Sequence, residues 1–123
     1  MGKLLFEEIT GAIIGSAFEV HKHLGYGFLE SVYKRAMQVE LLERRHKCVT
    51  EHQMIVRFKN TVVGNFSADL LVDELVLVEL KVAKQLNPLE EPQLLNELVA
   101  TGKKVGLPIN FGKERVEFKR MVN

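Results

Sequence analysis

The sequence predicts one mixed α/β domain with elements in the order helix, helix, three strands, helix, two strands. Three observations carry that prediction. Apolar residues recur at helical spacing through two stretches that together end near Arg45. The run Phe66–Val82, FSADLLVDELVLVELKV, reads as two apolar strands around an acidic turn at Asp73-Glu74. A further helical stretch ends near Gly102, ahead of another strand-like run, so it can serve as the crossover that returns a later strand parallel to an earlier one. At 123 residues the chain suffices for one domain with a real core and is too short for two, so residues 1–123 are expected to form a single unit.

The first helix is expected from about Leu4 to Leu24, with Leu5, Ile9, Ala12, Ile13, Ala17 and Val20 inward. Gly11 and Gly15 weaken the helix and suit close packing, and Gly25 is placed to cap its C-terminus. The second helix runs from about Leu29 to Arg45, with Val32, Ala36, Val39 and either Leu42 or Met37 inward. Thr50–Lys59 reads as a strand, Lys59-Asn60 as a turn into Thr61–Val63, and Gly64-Asn65 as a bulge before Phe66. Ala83–Asn87 is a polar connector. The third helix begins either at an Asn87 cap with Pro88 in its first turn, or at Pro92. Val105–Phe111 and Val116–Met121 complete the strands, and there is no internal repeat.

The Phe66–Val82 hairpin admits two registers, and the apolar pattern chooses between them. With Asp73, Glu74 and Leu75 as the loop, Val72 faces Val76, Leu70 faces Val78, Ala68 faces Leu80 and Phe66 faces Val82, all apolar. The other face then pairs Leu71 with Leu77, Asp69 with Glu79 and Ser67 with Lys81. A two-residue loop would scatter acids over both faces, so the first register is expected. Opposed Cβ atoms in such a ladder lie ~5 Å apart, and like charges there repel. Asp69 opposite Glu79 is unfavourable unless a cation sits between them or one is protonated. Magnesium, which takes carboxylate oxygens and keeps several waters, resolves that conflict. Lys81 shares the face with Glu79 because side chains alternate along a strand. Two acids and a lysine on one side of a hairpin suit metal-assisted hydrolysis. Taken alone, the same residues are better explained as a solvated polar edge of the sheet.

Composition excludes several classes. Hydrophobic content of 46% and charged content of 27% are those of a soluble globular protein. The lone Cys48 rules out an internal disulfide framework and suits a reducing, cytoplasmic setting. No secretory signal and no membrane span are read from the chain. A net charge of +1 does not impose a nucleic-acid partner, and the clusters at Arg44–Lys47, Lys103-Lys104 and Lys113–Arg120 read as solvated surface. His21, His23, His46 and His52 lack zinc-type spacing with Cys48, Gly25-x-Gly27 lacks the features of a phosphate loop, and no nucleophile elbow occurs. Glu30 complements the positive end of the second helix, yet it shares a face with Tyr33 and Met37. Gln93, early in the third helix, is either exposed or within reach of a phosphate or a metal-bound water.

The run Gly27-Phe28-Leu29-Glu30-Ser31-Val32-Tyr33 matches Gly-x-x-Glu-x-x-Tyr. Around it, in order, lie Glu19-Val20-His21-Lys22, Ala68-Asp69-Leu70, Val78-Glu79-Leu80-Lys81, Gln93-Leu94-Leu95-Asn96 and Ile109-Asn110-Phe111-Gly112. Over nearly its whole length the chain resembles the small prokaryotic GxxExxY proteins, which look like a branch of the PD-(D/E)xK nuclease superfamily. The resemblance implies a restriction-endonuclease-like α/β core, a mixed β-sheet flanked by helices in the order ααβββαββ. It implies Asp69 and Glu79 as ligands of Mg2+ (or Mn2+), with Glu30 as the auxiliary helical acid of the metal site. Lys81 would position or activate the attacking water, and Gln93 would be the polar residue of the crossover helix. The implied activity is metal-dependent hydrolysis of phosphodiester bonds, with DNA as substrate.

Three positions depart from the pattern. Ala68 replaces the proline of the superfamily's name, Glu97 stands where related nucleases often have tyrosine, and Pro92 directly precedes Gln93. Ala68 supplies no ligand in either case, but Glu97, the small size and the weak basicity favour a second class of function: a non-catalytic module of the same fold that binds nucleic acid or a protein partner. A domain this small offers few surfaces to grip a duplex, which leaves room for a homodimer.

Overall fold

The computed structural model describes residues 6–123. Leu4 and Leu5, assigned above to the first helix, lie outside the described residues. Helix α1 spans Glu7–Leu24, with Glu7 and Glu8 in its first turn and His21, Lys22 and His23 in its last, the charge order that complements a helix dipole. It buries Thr10, Ile13, Ser16, Ala17 and Val20. Gly25 stops it as expected, at φ 70° with its N–H donating to the His21 carbonyl at 2.8 Å. Only one of the two helical glycines is closely approached, and there by the movable end of an arginine side chain. A Cβ on Gly15 would meet the Arg44 guanidinium at 2.7 Å, whereas Gly11 faces open space.

Helix α2 spans Glu30–Glu43 and corrects one expectation. Its buried face is Tyr33, Met37 and Leu41, while Val39 is 58% and Leu42 52% exposed and Val32 also faces out. Ala36 does pack against the core. The helix has apolar side chains on both sides, and the tyrosine decides which goes in. Its ring stacks on Phe111 with centroids 4.6 Å apart, and its hydroxyl finds backbone partners, so the whole side chain can leave water.

A mixed sheet follows. Its strands are β1 (Cys48–Phe58), β2 (Thr61–Val72), β3 (Val76–Lys81), β4 (Val105–Asn110), β5 (Glu117–Phe118) and β6 (Met121–Val122), in the order β1-β2-β3-β4-β5, with β6 also on β4. Among the described residues only β3 and β4 run parallel, and the connection between them carries α3 (Glu91–Thr101) across as expected. The expected last strand is two short pieces in one register, because the Lys119 N–H donates to the Pro108 carbonyl at 3.1 Å but Pro108 has no N–H to return the bond. Both proposed starts of α3 contribute. Asn87 caps a 3-10 turn at Pro88–Glu90 by accepting the Leu89 N–H at 3.0 Å, and α3 then begins with Pro92 in its first turn, where a missing N–H leaves no bond unmade.

Lys59 and Asn60 form the β1–β2 turn with φ of 48° and 65°. β2 is continuous from Thr61, and the register shift sits beside Gly64. Val56 pairs with Gly64 and Arg57 with Val62, so Val63 is the extra residue. One helical layer, α1 and α2, covers Leu70, Val72, Val76, Val78 and Leu80. The opposite face packs Leu71, Leu77 and Met54 against Leu98 of α3. Ala68 and Phe66 join this second cluster, not the one that holds Leu70 and Val72. Among the described residues no helix is long and apolar enough to cross a membrane.

Candidate functional site

The β2–β3 register is the expected one where the strands pair: Val72 opposite Val76, Leu71 opposite Leu77, Leu70 opposite Val78. Beyond Leu70 the ladder stops. Ala68–Leu80, Asp69–Glu79 and Ser67–Lys81 are therefore not ladder pairs. The Asp69 carboxylate fills the gap, its Oδ2 accepting the Leu80 N–H at 2.7 Å. An acid so placed leaves no orphan donor at the opening. Ahead of it on β3, Glu79 and Lys81 alternate with the buried Val78 and Leu80, on the face of Leu77 that looks toward α3.

Asp69 and Glu79 still meet. Asp69 bonds the backbone of Leu80, the residue next to Glu79, and burial followed by the Asp69 charge pushes the Glu79 carboxyl up to about 8. Near neutral pH the pair thus retains a proton that two isolated carboxylates would have lost. Lys81 is shifted upward: burial opposes its charge, but the ion pair to Glu90 at 3.2 Å and the nearby Glu79 outweigh that. The lysine is an ammonium, not a base, in this arrangement.

Helix α2 delivers Glu30 to the edge of the same site. Gly27 takes φ 113°, a conformation that favours glycine, in the loop before the helix. Tyr33 then donates its hydroxyl to the Gly25 carbonyl at 2.7 Å and accepts the Phe28 N–H at 3.3 Å, tying that loop to the helix. Glycine and tyrosine thereby set the start of α2, and with it Glu30. Burial, then the Asp69 charge, raises the Glu30 carboxyl. At the far end of β3, the buried Asn110 locks the exit of the strand. Its side chain accepts the Ala83 and Gly112 N–H groups and donates to the Ala83 carbonyl, while Phe111 N–H bonds the Lys81 carbonyl at 2.9 Å. A Cβ on Gly112 would collide with the Ala83 backbone.

A cleft between β3, the Asn87 connector and α3 is lined by Glu79, Lys81, Glu90, Gln93, Glu97 and Lys119. Gln93 is exposed there, its amide 3.5 Å from Glu97 Oε1, so the substituted position four residues on engages the glutamine itself. Burial raises the Glu97 carboxyl.

The profile of the PD-(D/E)XK nuclease superfamily matches residues 7–121. The chain belongs to that superfamily. The mixed sheet flanked by helices is its restriction-endonuclease-like fold. Comparison with curated proteins finds no match. A solved structure, titled as that of SSO0001, is similar with a TM-score of 0.50 at 14% identity, over 94% of this chain and 78% of that one, a likeness of fold alone.

In this member of the PD-(D/E)XK superfamily, Glu79, Lys81 and Gln93 line one cleft, and Asp69 and Glu30 lie beside it without lining it. Among the described residues no three Asp, Glu, His or Cys side chains form a ready-made metal cage. Three participants have no sequence signal of comparable strength. Lys34, four residues after Glu30 and so on its face of α2, lies 3.5 Å from Asp69 Oδ1 and 3.3 Å from Glu51 Oε1. That helical spacing was the available clue. Glu51 and Glu90 offered none. Three of the four histidines have other partners: His21 contacts the Lys113 carbonyl, His23 contacts Glu19 and His46 contacts Asp73. Cys48 is buried, and that burial pushes its thiol up to about 11.

Proposed function

We propose that this protein is a magnesium-dependent nuclease of the GxxExxY type that hydrolyses phosphodiester bonds in DNA. The observation that carries the reading is the meeting of Asp69 and Glu79 where the β2–β3 ladder opens, with Lys81 on the same face. The donor set suits a hard divalent cation. Two adjacent carboxylates hold a proton that a cation would replace, and magnesium is usually bound by one or two carboxylates with water and substrate phosphate completing its shell. Asp69 and Glu79 would hold it, with Glu30 as the auxiliary acid. When bound, the ion supplies Lewis-acid polarisation of the phosphodiester and a lowered pKa for water.

The chain's own residues do the rest. Lys81, kept cationic by its acid neighbours, orients the attacking water and stabilises the charge growing on the phosphate. Gln93 supplies an amide at the cleft mouth for a phosphate oxygen. The β1–β2 hairpin supports a nucleic-acid substrate. From His52 to Ala68 it has no acidic residue, and it presents exposed Arg57 and Lys59.

The acids around the cleft favour a second reading, a nuclease fold that binds without cutting. Glu90, Glu91 and Glu97 line it with Glu79 against only Lys81 and Lys119. Incubation of labelled single- and double-stranded DNA with magnesium separates the two. Cleavage by the parent that is lost in Glu79→Ala and Lys81→Ala supports the nuclease. Binding without cleavage, or equal cleavage by all three, rejects it.

A further inference from the structure

We propose that Lys34 is a resident counter-ion of Asp69 that an incoming divalent cation displaces, and that Glu51 is the carboxylate that keeps the displaced ammonium. The inference rests on the reading of Asp69 and Glu79 as a metal site and adds residues that reading does not use.

The Asp69 carboxylate is committed at both oxygens. Oδ2 accepts the Leu80 backbone N–H at 2.7 Å, and Oδ1 has the Lys34 ammonium 3.5 Å away. The oxygen that is free of the backbone is therefore the one that faces Lys34. Both side chains are largely out of water, at 14% exposure for Lys34 and 16% for Asp69, so their attraction is screened less than that of a surface pair. A divalent ion and an ammonium drawn to one carboxylate repel each other strongly in such a place. Without metal, Lys34 balances the Asp69 charge. With metal, that balance is supplied twice over, and the lysine must retreat.

Glu51 is built to receive it. The same Lys34 nitrogen lies 3.3 Å from Glu51 Oε1, so it passes between carboxylates by a small movement. Glu51 sits within β1 at φ 53°, a left-handed backbone that a non-glycine residue rarely takes inside a strand. There the β1–β2 register passes from Thr50–Leu70 to His52–Ala68 without a Glu51–Asp69 pair. The strained residue is thus the one that would face Asp69 across the ladder. Strain of this kind persists where the surroundings impose it, typically at functional sites. The Glu51 side chain is 69% exposed, free to follow the lysine outward.

The test is calorimetric titration of manganese into the parent protein, Lys34→Met, Lys34→Gln, Lys34→Arg, Glu51→Gln and the Lys34→Met/Glu51→Gln double variant, with thermal melts confirming folding. Both neutral variants at Lys34 should bind manganese roughly tenfold tighter than the parent, the size typical of coupling between ligands. Lys34→Arg should stay near the parent. Glu51→Gln should bind more weakly, an effect that shrinks in the Lys34→Met background because Glu51 acts through the lysine. A purely structural lysine predicts the opposite sign, weaker binding in every Lys34 variant. Parent-like or weaker binding by both neutral variants overturns the proposal while leaving the acid pair as a metal site. Absence of manganese binding in every protein, with and without a short DNA, overturns the acid-pair reading and this inference with it.

Discussion

The backbone N–H of Leu80 donates to Asp69 Oδ2 at 2.7 Å, so a side chain takes the place of a ladder carbonyl at the point where β2 and β3 part. Asp69 is in this respect a structural residue as well as a candidate ligand. The two roles separate by substitution. Asp69→Asn retains an acceptor oxygen, whereas Asp69→Ala strands the N–H of a fully buried residue at a cost of about 1–3 kcal/mol. Urea unfolding in chelator should therefore rank Asp69→Ala below Asp69→Asn, although both remove the same charge. Equal stability of the two variants would show that the Leu80 bond contributes nothing.

The acid pair makes the metal-free protein sensitive to pH. The Glu79 carboxyl is raised from 4.5 to about 8 in the folded state, chiefly by burial and then by Asp69. Between those values the native state holds a proton that the unfolded chain has released, so stability falls as pH rises. This contribution is fully present below about pH 4.5 and lost as pH climbs through about 8. Glu79→Gln imitates the protonated acid at every pH. Its melting temperature in chelator should match the parent near pH 5 and exceed it by on the order of 5 °C at pH 8.5. A difference that does not change with pH would contradict the assignment.

The Lys81–Glu90 contact spans 3.2 Å between side chains that are 38% and 47% exposed, and pairs of that kind add little stability. What Glu90 does is occupy the lysine and add negative charge to the cleft. Glu90→Gln should leave the melting temperature unchanged and tighten binding of a short DNA roughly threefold at low salt, since one repulsive charge is removed from the phosphate path. Fluorescence anisotropy reads the affinity. Weaker binding would mean that Glu90 orients Lys81 for the substrate.

Tyr33 links the Gly25 carbonyl, the Phe28 amide and the Phe111 ring. Tyr33→Phe keeps the stacking and removes the hydroxyl. It should lower stability by about 1–2 kcal/mol in denaturant titration and loosen the segment that sets Glu30. Wild-type stability in this variant would remove the hydroxyl from the explanation of the Gly-x-x-Glu-x-x-Tyr spacing.

Much of the fold was legible because its pattern is local. The apolar alternation of Phe66–Val82 chose the register that pairs Leu70 with Val78, and Gly25, Asn87 and the Lys59-Asn60 turn carried their own backbone preferences. The alternation could not say where the ladder opens, since Ala68 and Leu80 continue it unbroken. It also could not foresee that Ala68 changes clusters. On α2 two apolar stripes compete, and the choice between them depends on Tyr33 reaching the Gly25 carbonyl in a loop and the Phe111 ring just past β4. Asp69, Glu79 and Lys81 were visible as a set, being close in one hairpin. Lys34 and Glu51 were not, because their meeting depends on how α2 lies over β1 and on a left-handed residue that no composition signals.

The central claim, that Asp69 and Glu79 form a divalent-metal site, is tested most directly by titrating manganese into the parent and into Asp69→Asn, each with and without a short DNA. The Asn variant retains an acceptor for Leu80 N–H and loses the charge, so its fold is spared while its metal affinity is not. Heat of binding in the parent that disappears in Asp69→Asn is the predicted result. Equal binding by the two proteins, or none by the parent even with DNA present, would contradict it.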